Sequence, residues 1–398
     1  MDPLTLPRHP RYHSLDLWRG VACLMVIISH ASFYATSVQW ESVPARFIFQ
    51  AISYLWIGVP IFFVISGYCI SAASDSIRRK PQALSQYFLR RFRRIFPPFW
   101  AVMALSLVLV TATGAAGWPN LFPDHNHPIS NPSALSLCQW IGNFTLTEQW
   151  RSHLLGGPTK YFLDHTWSLC YEEQFYAVCG LVLFLAPRRL FSGLFSLTLL
   201  ILAITLIHFT AVKLPIQGFF FDGSWLLFAA GIVVYYRINY ATKFQTRLGD
   251  LLLLITTLAS MGLFIKSHKP IFISFLVGNL FALTISLLHR RDTRLAASAW
   301  LRPISFCGKM CYSMYLVHYP ITKAISHALY LERVNGPWQT LFITIPLSLG
   351  VSVGVSWLFH LTVERRFLNS STGAPIPSDH ARSYDQLLSP MVADLSGS

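Results

Sequence analysis

Long apolar runs, separated by short groups of turn-forming and charged residues, dominate the pattern along this chain of 398 residues. A helix needs about 20 mainly apolar residues to cross the hydrocarbon core of a bilayer. We therefore predict an all-α polytopic membrane helix bundle with about ten transmembrane helices, eight or twelve being the alternatives. The ten runs lie near residues 17–37, 49–73, 95–116, 168–186, 190–210, 222–236, 249–266, 270–288, 304–330 and 338–361.

Three segments depart from this pattern. Residues 1–16 are short and polar, with no small-residue cleavage pattern, and predict a cytosolic N-terminal segment rather than a removable signal peptide. The predicted membrane domain, 17–368, contains a long segment at 117–166 that is rich in Trp and His; we expect it to be extracytoplasmic or partly embedded, with 133–147 on or in the membrane. The tail, 369–398, is rich in Ser, Pro and Asp and predicts a disordered cytosolic segment.

Composition and charge support a membrane protein. Hydrophobic residues make up 53% of the chain and charged residues 12%, about half of the ~25% that is usual in soluble domains. The net charge is +14, and 23 of the 31 Lys and Arg fall on one side if the chain begins in the cytosol. This asymmetry predicts that both termini are cytosolic and that the protein lies in the cytoplasmic membrane, and it gives no reason to expect a nucleic-acid partner. The seven Cys lie mostly in apolar runs without metal-ligand spacing, so we predict no metal.

His30 is the most informative polar residue in an apolar run. It follows Arg19 by eleven residues, or about three helical turns, so both side chains lie on one face and His30 lies roughly 16 Å deeper. An ionisable group near the bilayer midplane indicates a functional site, and imidazole is a common general base. The alternative is a histidine that only forms a hydrogen bond between helices.

A second polar group lies in the segment HTWSLCYEEQFY, residues 165–176. On a helix, Ser168, Glu172 and Tyr176 share one face. A carboxylate on that face could orient a histidine or hold a hydroxyl group of a substrate. The alternative is an interfacial glutamate between aromatic residues that anchor the helix end.

Four arginines within five residues, Arg90, Arg91, Arg93 and Arg94, precede the third predicted span. Guanidinium groups bind phosphates in a bidentate manner, so this cluster could hold the phosphates of coenzyme A. Alternatively, it is only an orientation signal or a contact for anionic lipids.

Taken together, these segments resemble the acyltransferase-3 family of membrane O-acyltransferases. The resemblance extends over about residues 14–368, although the family often has Gly and Leu where this chain has Leu17 and Trp18. The matching segments are LDLWRG (15–20) with His30, FFVISGY (62–68), RRFRRIFP (90–97), WSLCYEEQFY (167–176), YSMYLVHYP (312–320) and VERRF (363–367).

The resemblance implies transfer of an acyl group, usually acetyl, from cytosolic acyl-CoA to a hydroxyl of a cell-surface or secreted glycan. It implies that His30 is the base or a transient acyl carrier and that Glu172 orients His30 or the acceptor. The donor would be held by Arg90, Arg91 and Arg94, with help from Arg19. The expected substrate-binding residues are Ser66, in a break of the second span with Gly67, and Trp167, Ser168, Tyr176 and His318.

A transporter or flippase for a glycan or a lipid-linked sugar is the strongest alternative, because it would also need many spans and a few polar groups near the midplane. It would not need coenzyme A. The combination of His30 with the arginine cluster favours the enzyme. The sequence leaves open the acceptor, the acyl group, the oligomeric state and the choice between direct transfer and an acyl-histidine intermediate.

Overall fold

The computed structural model describes residues 12–33, 42–78, 84–115 and 131–368, and every regular element within these ranges is a helix. The α-helices, in chain order, are α1 Leu15–Ala31, α2 Val43–Ser53, α3 Gly58–Arg78, α4 Leu84–Ala115, α5 Leu137–Phe144, α6 Glu148–Leu155, α7 Trp167–Leu185, α8 Leu190–Thr210, α9 Trp225–Asn239, α10 Lys243–Ser267, α11 Pro270–Leu288, α12 Asp292–Ala297, α13 Arg302–Lys309, α14 Cys311–Leu331, α15 Pro337–Gln339, α16 Ile345–Phe359 and α17 Arg365–Leu368.

Seven helical segments of the described part are long and apolar enough to cross a membrane. The other three predicted spans correspond to α1 with 17 residues, α9 with 15 residues, and α14, which has 21 residues but several polar ones. The all-helical, multi-pass membrane fold is thus confirmed, while the count of ten and the cytosolic termini stay predictions. The seven segments are Val43–Arg78, Leu84–Ala115, Asp164–Leu185, Pro187–Thr210, Lys243–Ser267, Pro270–Ala297 and Pro337–Leu368.

The predicted break at Ser66 and Gly67 is wrong, because α3 continues through both residues. Gly67 serves a close helix crossing instead: a Cβ there would lie 2.0 Å from the carbonyl oxygen of Phe228 in α9. At Gly231 of α9, a Cβ would likewise lie 2.0 Å from the carbonyl oxygen of Val64 in α3. Small residues at such crossings let two helix backbones pack directly in a membrane protein.

The predicted span at 304–330 is also divided. Helix α13 ends at Lys309, and α14 begins at Cys311 after a turn at Met310. A Cβ at Gly308 would lie 1.6 Å from the carbonyl oxygen of Asp16, so the end of α13 packs directly against the start of α1. This contact places α13 against α1 and makes α14 a separate helix. The pattern of apolar residues in the sequence cannot predict it.

An aromatic core joins α3, α7 and α9. Phe228 stacks between Phe63 and Phe175, with ring centroids 4.5 Å and 4.2 Å away. Trp225 and Tyr235 of α9 are also almost fully buried. The burial of these large rings fixes α3 and α7 side by side, and these two helices carry several of the predicted site residues.

The described part of the long outer segment is folded around buried polar side chains. Asn143 of α5 accepts a hydrogen bond from the backbone of Phe162 at 2.8 Å and donates to the carbonyl of Lys160 at 2.9 Å. Glu148 is fully buried and pairs with Arg151 at 2.7 Å, and this hydrogen bond raises the pKa of Arg151. The bonds of Asn143 satisfy backbone groups of the connections. Leu137 on α5 is exposed. The placement of residues 133–147 on or in the membrane stays a prediction.

Three predictions fall wholly or partly outside the described residues. They concern most of the N-terminal segment, 1–16, the first part of the outer segment, 117–130, and the tail, 369–398.

Candidate active site

One cavity of about 820 Å³ collects most of the side chains that the sequence singles out. Ten of the eleven candidates line it, contributed by α1, α3, α4, α7 and α14. Arg90 is the exception, because it is exposed on α4 and donates to Gln86 at 3.4 Å. The ten are Arg19, His30, Ser66, Arg91, Arg94, Trp167, Ser168, Glu172, Tyr176 and His318.

Three arginines form a cationic end of this cavity. Arg91 and Arg94, one turn apart on α4, line the cavity, whereas Arg90 and Arg93 do not. The guanidinium carbon of Arg91 lies 4.8 Å from the ring centroid of Tyr176. Arg19 of α1 completes this end, and it donates to Asp16 at 2.8 Å and to the Cys69 sulfur at 2.9 Å. These guanidinium groups are the ones that could hold phosphates.

Glu172 links the walls next to the cationic end. Its carboxylate accepts a hydrogen bond from the Ser66 hydroxyl at 2.6 Å and another from the Tyr176 hydroxyl, one turn along α7. Neither bond involves His30. Glu172 is predicted to orient either His30 or the acceptor. In this structure a different residue orients His30.

His318 orients His30. The two rings are nearly parallel, and His30 Nδ1 lies 3.0 Å from His318 Nε2. His318 Nδ1 lies 2.8 Å from the carbonyl oxygen of Met314, which can only accept a hydrogen bond, so this nitrogen carries the proton. His318 Nε2 must then accept from His30 Nδ1, and the lone pair of His30 lies on Nε2. That tautomer is the one a general base or a nucleophile needs.

An aromatic wall surrounds the histidine pair. The Tyr319 ring lies 5.2 Å from the ring of His30 and 4.7 Å from that of His165. The Tyr315 hydroxyl donates to the carbonyl of His165 at 2.8 Å and lies 3.1 Å from the Ser168 hydroxyl. Sequence reasoning did not assign His165, Tyr315 and Tyr319 to the site, although all three lie within the motifs that contain Trp167 and His318. Helical spacing around His318 could have drawn attention to the two tyrosines.

The cavity thus has two chemically different ends. Helix α7 runs between them: Ser168 near its start contacts Tyr315, whose ring lies 6.3 Å from that of His318, and Tyr176 lies at Arg91. Trp56 and Asp164 also line the cavity. Indole rings and a carboxylate are suited to the faces and hydroxyls of a sugar, whereas the arginines are suited to phosphate.

Comparisons with known proteins show the family of this chain. The acyltransferase-3 family model, described as an acyltransferase domain, matches residues 12–361. O-acetyltransferase OatA of Staphylococcus aureus (strain NCTC 8325 / PS 47) is 28% identical over 347 residues, which cover 78% of this chain and 51% of that protein. Peptidoglycan O-acetyltransferase OatA of Listeria monocytogenes is 24% identical over 345 residues, covering 81% of this chain and 51% of that protein.

An uncharacterised protein of Haemophilus influenzae is 25% identical over 236 residues, which cover 54% of this chain and 89% of that protein. The chain spans about half the length of the two O-acetyltransferases. No solved structure matches the chain significantly. The family match covers most of the chain, including every motif but the last, and the predicted resemblance is confirmed: the chain belongs to the acyltransferase-3 family.

Proposed function

We propose that this protein transfers an acyl group, most simply acetyl, from acyl-CoA to a hydroxyl group of a glycan. The observation that carries the proposal is the His30–His318 pair in the same cavity as Arg19, Arg91 and Arg94. The names of the two O-acetyltransferase relatives support acetyl as the group. The name of the relative from Listeria includes peptidoglycan, which supports a glycan as the acceptor.

The donor would bind with its phosphates at the arginine end. Arg91 and Arg94 lie one turn apart on α4 and can act on neighbouring phosphate oxygens, while Arg19 approaches from α1. Along α1, eleven residues separate Arg19 from His30, which corresponds to roughly 16 Å. The pantetheine arm would extend through this part of the cavity, past Glu172 and Tyr176, and bring the thioester to His30.

The chemistry would depend on His30 Nε2. As the acceptor oxygen attacks the thioester carbonyl, Nε2 takes the hydroxyl proton and the ring becomes an imidazolium. The tetrahedral intermediate then expels the coenzyme A sulfur, which receives that proton and leaves as the thiol. His318 holds the reactive tautomer through both steps, because its Nε2 accepts the Nδ1 proton of His30.

A two-step route uses the same atoms. His30 Nε2 attacks the thioester carbonyl, coenzyme A leaves as the thiolate, and the acyl group is carried on the imidazolium until the acceptor oxygen displaces it. The hydroxyl proton of the acceptor then passes through the freed Nε2 to the thiolate, which becomes the thiol. In either route Glu172 holds Ser66 and Tyr176 in the wall and is available to the acceptor.

Product analysis tests this function. The purified protein is incubated with carbon-13-labelled acetyl-CoA and oligosaccharide fragments of cell-surface glycans, and the products are analysed by mass spectrometry. We expect a labelled O-acetyl ester that is absent with His30→Ala. Movement of glycans across a liposome membrane without any donor, together with unlabelled products, would support the transporter instead.

A further inference from the structure

Lys323 is a buried cation that the proposed reaction does not use. It lies in the second half of α14, and only 8% of its surface is exposed. An ammonium group inside a membrane protein is costly unless a partner compensates the loss of hydration, and such groups are usually functional.

The contacts of Lys323 leave its hydrogen-bonding capacity unused. Its Nζ lies 3.9 Å from the ring centroid of Phe33 and 5.5 Å from that of Tyr319, which are cation–π contacts. Asp164, in the cavity wall, attracts it through space. Across the ranges that the structure describes, however, no hydrogen-bond acceptor or carboxylate pairs with Lys323 directly. An ammonium group has three N–H donors, and ring faces stabilise its charge without fixing those donors in a particular direction.

The position of Lys323 relates it to the acceptor rather than to the donor. Tyr319 contacts both groups: its ring lies 5.5 Å from Lys323 Nζ and 5.2 Å from the ring of His30, so Nζ lies within about 11 Å of the reacting imidazole. Helix α14 begins at Cys311, which lines the cavity near Arg19, and Lys323 lies twelve residues further along. It is therefore beyond His318 on the side away from the arginines.

We propose that Lys323 recognises an oxyanion, a carboxylate or a phosphate, carried by the acceptor close to the hydroxyl that is acylated. Only the identification of the bound molecule as the acceptor rests on the proposed function; the binding of an oxyanion at Lys323 does not. An oxyanion would supply the acceptor atoms that the ammonium group lacks, and the two rings would hold the cation in place in its absence. The acceptor would then be an acidic glycan or a phosphate-linked saccharide rather than a neutral sugar.

Binding without turnover tests the proposal. Isothermal titration calorimetry on the protein in nanodiscs would compare a glucuronic-acid-containing oligosaccharide with its carboxyl-reduced counterpart, with no donor present. A polyprenyl-diphosphate-linked saccharide and its unphosphorylated form make a second pair. We expect the wild type to prefer the charged member of at least one pair by about tenfold, and the pair that shows the preference identifies the source of the oxyanion.

The decisive variant is Lys323→Met, which keeps the length of the side chain against Phe33 and Tyr319 but removes the charge. We expect it to lose the preference for the charged member while binding the neutral member as the wild type does, and Lys323→Arg to retain the preference. Lys269→Met is the matched control, because Lys269 also lies over an aromatic ring, 5.8 Å from the centroid of Phe209, but is exposed at the start of α11.

The proposal is overturned if the wild type binds charged and neutral members equally in both pairs. It is also overturned if Lys323→Met, unfolding thermally as the wild type does, keeps the preference. These outcomes differ from failure of the proposed function. A protein that binds the acidic saccharide through Lys323 but never releases coenzyme A would retain this inference and contradict acyl transfer.

Discussion

The imidazole of His30 owes its orientation to a residue 288 positions further along the chain. The carbonyl of Met314 fixes the proton on His318 Nδ1, and His318 in turn fixes the proton on His30 Nδ1. Two hydrogen bonds therefore decide which nitrogen of His30 can accept a proton. His318 acts as a positioning residue in this account, rather than as the substrate-binding residue that the sequence indicated.

Replacement of His318 tests this role. His318→Leu removes the acceptor for His30 Nδ1, and we expect kcat to fall about a hundredfold with little change in the KM for acyl-CoA, since general-base catalysis contributes on this scale. His318→Gln should recover part of the activity, because its side-chain oxygen can accept the same hydrogen bond. Steady-state kinetics measure both. His327→Leu on the same helix, outside the cavity lining, is the control; equal losses in the Leu and Gln variants of His318 would contradict the role.

The arginines offer a second test at single residues. We expect Arg91→Ala and Arg94→Ala each to raise the KM for acyl-CoA about tenfold or more, because a hydrogen bond to a charged group contributes about 1.5–3 kcal/mol. Arg90→Ala should have a much smaller effect, since Arg90 is exposed and outside the cavity. Arg188→Ala, on an exposed connection, controls for the loss of one positive charge. A donor KM that responds equally to Arg90 and Arg91 would show that the cluster acts only through its total charge.

At the scale of helices, backbone contact between α3 and α9 holds the site wall in place. Ser66 lies next to Gly67 on α3, and Gly67 and Gly231 allow the two backbones to approach until no Cβ fits. The hydroxyl of Ser66 thereby reaches Glu172 on α7. Helix packing and the geometry of the site are thus coupled.

Gly231→Ala should destabilise the protein by more than the about 1–3 kcal/mol that is usual for overpacking, because the added methyl group meets a backbone carbonyl rather than a movable side chain. Gly262→Ala is the matched control: it lies in α10 with no atom within 4 Å of the added Cβ, and helix propensity should stabilise it by up to about 1 kcal/mol. Thermal unfolding in detergent compares them. A Gly231→Ala protein as stable as the wild type would contradict the close crossing.

The sequence predicts the helices better than it predicts where they end and which helices contact each other. Apolar runs locate most of the bundle, because burial in lipid requires them along the whole length of a span. The turn at Met310 and the continuity of α3 through Ser66 depend on what Gly308 and Gly67 touch, which is tertiary information. The face shared by Ser168, Glu172 and Tyr176 follows from helical spacing alone, whereas the contact of His30 with His318 does not.

On the scale of the whole molecule, the cavity lies between apolar helices and has a cationic end and an end with Trp56, Asp164 and Trp167. Such a cavity would let an acyl group meet an acceptor from the other side of the membrane while coenzyme A stays where its phosphates are bound. The donor and the acceptor should then protect different parts of the cavity from reagents.

Native cysteines report on this division. Cys69 lies in the cavity against Arg19 and is partly exposed, while Cys138 is exposed on α5. We expect acyl-CoA to slow maleimide labelling of Cys69 without changing that of Cys138, and glycan fragments to leave Cys69 unprotected. Mass spectrometry of the labelled peptides measures each site, with Cys69→Ser confirming the assignment. Protection of Cys69 by the glycan alone would place the acceptor at the cationic end and contradict the division.

Release of free coenzyme A thiol from acetyl-CoA by the purified protein tests the central claim most directly. Wild type and His30→Ala would be compared with and without a pool of glycan fragments. The account predicts release that requires His30 and increases when glycan is present. Equal release by folded His30→Ala, or no release from any acyl-CoA by the folded wild type with all glycans supplied, would contradict it.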